Sequence, residues 1–334
     1  MSNARRWVAL TLGASALAVV TSCDTGNGDA ETAGEGDGNF TTSLQLGTGS
    51  VGGVYFPLGQ EYANLFEQNI EVEDLSVNAV ETGASVENIA QINRQELQLG
   101  LSQHNTANDA VAGVGEFEGA EIDNVGFIGQ LYPEAAQVIT LESTGIESIS
   151  DLKGKRVAIG PPGGGTRAAA EAILAAYDIS EGDYQPLEEG FEDAKTKLQD
   201  GNADASIEIL GVPAASLEEL EAAAGGVRLL PIEGDALDEI VAEGVFETYE
   251  IQTDSYSFLD EPVSTVTVFA CMLASTSQVS EDLGYEITRV IYEHAEELTL
   301  PQKNLINIDD ALLGQGDVPL HPGAERYFEE QGIL

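Results

Sequence analysis

Twice in this chain a short apolar strand runs into a glycine-rich turn and then into apolar residues at helical spacing. No other feature restricts the fold as much. The first unit has Ser43-Leu44-Gln45-Leu46 as its strand and Gly47-Thr48-Gly49-Ser50-Val51-Gly52-Gly53-Val54-Tyr55 as its turn. After Pro57, the residues Leu58, Tyr62, Leu65 and Phe66 fall on one helical face. A strand over Leu75 to Val80, a helix over about Ser85 to Arg94 and a strand over Leu97 to Leu101 follow. This third strand ends at Ser102-Gln103-His104-Asn105. The second unit repeats the order. Lys155 to Ile159 is the strand, Gly160-Pro161-Pro162-Gly163-Gly164-Gly165-Thr166 the turn, and Ala168 to Ala176 the helix. A helix near Phe191 to Gln199 then leads to a strand over Ala205 to Ile209. Strands alternating with helices predict parallel sheets, and two such units predict two α/β lobes. A length of 334 residues suits two compact units at ~100–200 residues each.

Glycine lets backbone N–H groups crowd together and point outward, and a helix start adds positive partial charge. Two facing turns of this kind, at the carboxyl ends of parallel strands, could grip an anion from both sides. The bland reading is a pair of tight turns with no ligand. Gly47-x-Gly49-x-x-Gly52, with Glu81 ending the next strand, also fits a dinucleotide fingerprint. No hydride-transfer partner accompanies it. Gly160 to Thr166 approaches a phosphate loop, but Thr166-Arg167 stands where that chemistry needs lysine.

The charge is extreme. Asp and Glu number 58 against 13 Lys and Arg, a formal net charge of -45, and the acids are spread along the chain. That excludes a basic surface for nucleic acid or anionic lipid. It fits a saline habitat, where a Debye length of ~3 Å at ~1 M salt removes the self-repulsion. At the N-terminus, Arg5 and Arg6 precede an apolar stretch from Trp7 to Val20, too short to span a bilayer. Val20-Thr21-Ser22-Cys23 then resembles a lipobox, so residues 1–22 are expected to be a signal peptide and Cys23 the lipidated mature N-terminus. The Arg pair is a weak hint of twin-arginine export. Residues 23–40, poor in large apolar side chains, read as a flexible tether; sixteen such residues reach ~20–24 Å.

Catalytic and metal chemistry find little support. His104, His294 and His321 are far apart in sequence, and no EF-hand spacing or Ser-His-Asp set is present. No cofactor is expected. Cys271, inside the apolar run Val266 to Leu273, reads as a buried thiol. Lys153, Lys155 and Arg156 are most simply a solvated turn. Arg167 suits either a ligand carboxylate or the protein surface.

In this order the motifs resemble the TAXI proteins, the immunogenic-type solute receptors of TRAP transporters. The resemblance lies in Gly47 to Gly59, Asp151 to Val157, Gly160 to Thr166, Gly211-Val212-Pro213 and Pro319 to Ala324. It implies a type II periplasmic-binding fold: lobe 1 over 41–137 plus 264–334, lobe 2 over 138–263, and a cleft between. It also implies a small carboxylate or amino acid ligand of the glutamate or glutamine kind, and a TRAP-type permease as partner. Carried onto matching positions, the site would comprise Thr48, Gly49, Ser50, Gly53, Tyr55, Gln103, Asn105, Gly164, Gly165 and Thr166, with Arg167 beside it. Asn105 in place of Asp and Gly164 in place of Ser depart from the pattern and leave the ligand open. A ligand-sensing receptor and an extracellular enzyme on the same scaffold stay as alternatives.

Overall fold

A computed structural model describes residues 39–120 and 122–334. The expected signal peptide, Cys23 and nearly all of the tether lie outside them. The first half runs β1 (Ser43–Gly47), α1 (Tyr55–Asn69), β2 (Ser76–Val80), α2 (Ser85–Asn93), β3 (Leu99–Gln103) and α3 (His104–Ala112). Then come β4 (Val125–Leu141), β5 (Arg156–Ala158), α4 (Thr166–Ala176), β6 (Gln185–Leu187), α5 (Phe191–Gln199) and β7 (Ala205–Gly211). The chain ends with α6 (Ala215–Ala224), β8 (Val227–Leu230), α7 (Gly234–Ala242), β9 (Glu247–Ile251), β10 (Val263–Ser275), α8 (Glu281–Glu293) and α9 (Pro322–Gln331).

Among the described residues the strands form one sheet, ordered β2-β1-β3-β10-β4-β7-β5-β6, with β8 beside β4 and β9 beside β10. Both sequence units appear as parallel sets, β1 with β2 and β3, and β5 with β6 and β7. The sheet as a whole is mixed, which corrects the expectation of parallel sheets. β10 runs antiparallel to β3, β4 and β9, and β4 antiparallel to β7 and β8. These two long strands join the parallel sets. Among the strands, β4 gives its first part to β10 and its last part to β7 and β8, and Glu134 pairs across to both Val268 and Gly211. β4 is buried along nearly its whole length. Helices cover both faces, so β4 is mostly apolar without strict alternation, broken only by the buried Gln130, Glu134, Gln137 and Thr140.

Each parallel unit buries one helical stripe. Leu58, Tyr62, Leu65 and Phe66 of α1 pack under β1, and Ala169, Ala170, Ile173 and Leu174 of α4 fill a second core with Val157, Ile207 and Ile209. Full burial of one such large side chain contributes ~1.5–3 kcal/mol. The Pro319 to Ala324 motif is a brace: Phe127 N–H donates to Pro319 O (2.8 Å), and His321 N–H to Phe127 O (2.9 Å). His321 is buried, its Nδ1 caps α9 by accepting from Gly323 N–H, and burial lowers its pKa to about 4. Cys271 is a buried free thiol.

Candidate ligand-binding cleft

The first glycine turn is tied down by buried polar side chains. Thr48 is fully buried, and its hydroxyl donates to Val80 O at 2.7 Å. Its methyl lies where a side chain on Gly59 would have to go, which accounts for that glycine. Asn88 Nδ2 donates to Thr48 O and to Leu101 O, both at 2.8 Å, while Thr82 Oγ1 donates to Asn88 Oδ1 at 2.7 Å. One amide therefore holds the carboxyl ends of β1 and β3 together. Gly49, Ser50 and Gly53 are left facing a cavity.

Between the two turns lies a narrow cavity with about 30 Å³ of free space. Three helix starts meet there: Val54 and Tyr55 of α1, Ala84 and Ser85 of α2, and Gly165 and Thr166 of α4. None of the three N-caps carries a side-chain cap; at α2 the Glu87 N–H finds Gly163 O instead. Converging N–H groups and dipole ends favour an anionic ligand group. Ala84 holds φ at 81°, a left-handed value that costs a non-glycine residue ~1–3 kcal/mol.

The floor combines Tyr55 and Glu134. Tyr55 O–H donates to Glu134 Oε2 at 2.6 Å, and both residues are almost wholly buried. Desolvation raises the Glu134 carboxyl to about 8, although the Tyr55 bond opposes it; burial also pushes the Tyr55 phenol well up. Gln103 adds a buried Oε1 without a partner, and Phe191, Ile209 and Leu210 add apolar wall. Among the described residues lining the cavity there is no Lys, Arg or His.

The second turn closes the roof. Glu87 N–H donates to Gly163 O at 2.9 Å, and Glu192 N–H to Val51 O at 3.2 Å. A Cβ on Gly83 would lie 2.6 Å from Pro162 O, and one on Gly52 (φ 95°) 2.8 Å from Glu192 N. A Cβ on Gly165 would overlap Gln103 Oε1. These approaches need glycine.

Of the residues expected in the site, Gly49, Ser50, Gly53, Tyr55, Gln103, Gly164, Gly165 and Thr166 line this cavity. Thr48, Asn105 and Arg167 do not. Thr48 faces inward onto Val80. Arg167 follows Thr166 on α4, so helical phase turns it outward, where it pairs with Glu171 (2.9 Å) and Glu188 (2.7 Å). Asn105 lies on the first turn of α3, which the sequence did not announce, and borders an outer depression shared with Arg167. Tyr55 also differs from expectation, because its hydroxyl proton is engaged by Glu134. His104 is structural: its Nδ1 accepts from Phe269 N–H at 3.0 Å, and burial lowers it to about 4. Sequence reasoning missed Glu134, Gly83 to Ser85 and Phe191. Glu134 had a signal, being a lone acid within the apolar run of β4.

The model of the NMT1-like family matches residues 46–332. Among solved structures, PhnD1 from Prochlorococcus marinus (MIT 9301) in complex with methylphosphonate is similar at TM-score 0.56 and 12% identity, over 88% of this chain and 99% of that one. A protein from Bordetella bronchiseptica RB50 is similar at TM-score 0.50 and 16% identity, over 87% and 82% of the two chains. The alkanesulfonate-binding protein SsuA from Xanthomonas axonopodis pv. citri, bound to MOPS, reaches 0.49 and 19%, over 87% and 84%. PhnD1 and the Bordetella protein share the fold, a type II periplasmic-binding-protein α/β fold built on a mixed sheet.

Proposed function

We propose that this chain, which belongs to the NMT1-like family, is an extracytoplasmic solute receptor. It captures a small carboxylate or amino acid and passes it to a membrane transporter. The observation that carries this reading is the meeting of both glycine turns at one cleft. Two glycine turns from opposite ends of one sheet converge there with three helix starts; the free space of about 30 Å³ belongs to a closed form, and the lobes must part to admit a solute. In this reading lobe 1 is 41–137 plus 264–334 and lobe 2 is 138–263. β4 and β10 are the crossings about which they hinge. The hydrogen bonds Glu87–Gly163 and Glu192–Val51 belong to the closed form, and the solute favours closure through its better fit there.

The motif order favours a TRAP-type permease as partner. The leader and Cys23 favour a lipid anchor on the outer side of a membrane, and the net charge of -45 favours a saline medium. Thermal unfolding in molar salt tests the receptor reading. The panel holds carboxylates and amino acids, with phosphonates and sulfonates as competitors. One carboxylate or amino acid class is expected to raise Tm; no shift from any member contradicts the reading. For the partner, uptake that depends on this receptor is expected to need an ion gradient and no ATP. An ATP requirement assigns the receptor to the other transporter class.

A further inference from the structure

The cavity floor is rich in acceptors, and among the described residues lining it there is no basic side chain. Glu134 lines the cavity, its carboxyl has the Tyr55 hydroxyl as partner at Oε2, and Gln103 Oε1 is buried nearby with no donor. The titratable groups set against Glu134 are Tyr55 on α1, Tyr132 on β4 itself and Cys271 on β10. None of them carries positive charge, and the strand partners Val268 and Gly211 have no charged side chain. A buried carboxyl with a single neutral donor is left costly to ionise. The other wall has the opposite character: the starts of α1 and α4 present backbone N–H groups with no side-chain acceptor capping them, while at α2 Thr82 Oγ1 and Glu87 Oε2 accept from Ala84 and Gly83 N–H.

We propose that Glu134 is the cation-recognising point of the cleft, so that the solute must carry a protonated nitrogen in addition to its anionic group. This rests on the receptor reading and narrows it to zwitterionic solutes. The solute's anion meets the glycine turns, and its N–H groups meet the Glu134 carboxylate and Gln103 Oε1. The wall of N–H groups favours this orientation, since reversal would set the solute's ammonium group against the positive ends of the helices.

A proton balance follows. In the cavity without solute the Glu134 carboxyl titrates at about 8 and is mostly protonated at pH 7. An ammonium group beside it favours the carboxylate, so the carboxyl proton passes to the buffer while the ammonium keeps its own. Binding at pH 7 therefore releases close to one proton, and affinity rises about tenfold per pH unit up to about pH 8, then levels off.

The test is isothermal titration calorimetry in two buffers of different ionisation enthalpy. It uses full-length protein with the leader removed and matched pairs: L-glutamate with glutarate, L-glutamine with glutaramate, and the other L-amino acids with their deaminated acids. The expected result is a pair whose amino member binds at least roughly tenfold more tightly, with proton release at pH 7 that fades by pH 9. Glu134→Gln is expected to abolish both the preference and the release; Glu208→Gln, a buried carboxyl away from this cavity, is expected to keep both. A deaminated acid that binds as well as its partner overturns the inference and leaves the receptor reading intact. So does amino-acid binding without proton release. No binding by any member counts against both.

Discussion

The two glycine-rich turns follow parallel strands and open onto the same cavity, yet they are secured in different ways. The first is fastened from beneath: Thr48, Thr82 and Asn88 connect it to the ends of β2 and β3 through buried hydrogen bonds. The second has no such network. Its contacts run across the cavity, from Gly163 O to Glu87 N–H and from Gly165 against Gln103, and its one basic neighbour, Arg167, pairs at the surface. One turn is a wall built with the core. The other is a roof whose position depends on approach. Substitutions in the first should therefore read out as stability, and those in the second as affinity.

The largest expected effect concerns the floor on which both turns depend. Glu134 is raised in the folded chain from 4.5 to about 8 by burial. Between those values the unfolded chain has lost the proton that the folded one retains, so this contribution is full below about pH 4.5. It is lost as pH rises through about 8. Without solute, the protein is expected to lose on the order of 4 kcal/mol from this group between pH 5 and 8. Glu134→Gln should flatten the slope in urea titrations at fixed high salt; an unchanged slope would place the carboxyl in water. Next, Asn88→Ala strips hydrogen bonds from two buried carbonyls and from Thr82. A loss of ~2–4 kcal/mol in urea unfolding is expected, and a loss under 1 would show that the first turn is not held from beneath. Gly165→Val should lower solute affinity at least ~100-fold while Tm without solute stays near wild type, since its side chain obstructs the roof and not the core. A fall in Tm without an affinity change would reverse the contrast. Arg167→Ala is the smallest. Exposed pairs with Glu171 and Glu188 are worth at most ~1 kcal/mol, and affinity should stay within about twofold.

Much of this arrangement is legible in the residues, and the illegible parts have identifiable causes. Strand, turn and helix succession near Ser43 and Arg156 is local, because glycine clusters and 3.6-residue periodicity need only neighbours in sequence. The direction of β4 and β10 is not local. A strand buried on both faces shows a mostly apolar run whether its partners are parallel or antiparallel. α3 went unseen because His104 to Ala112 buries only Thr106, Ala107 and Ala110, too weak a stripe to announce a helix. That omission also misplaced Asn105, read as a strand end. Arg167, which the sequence leaves open between ligand and surface, adjoins Thr166, and only helical phase separates them. Glu134 was readable: an acid in a strand buried on both faces must find a partner or keep its proton, and either demand marks it.

Bound solute is the most direct test of the central claim, that the cavity between the turns holds one small molecule. Wild type and Gly165→Val are purified in high salt after growth in rich medium and denatured, and the released small molecules are quantified by mass spectrometry. The account predicts close to one equivalent of a single carboxylate-bearing solute from wild type and essentially none from the variant. Equal loading of the two proteins would place the solute elsewhere and contradict it.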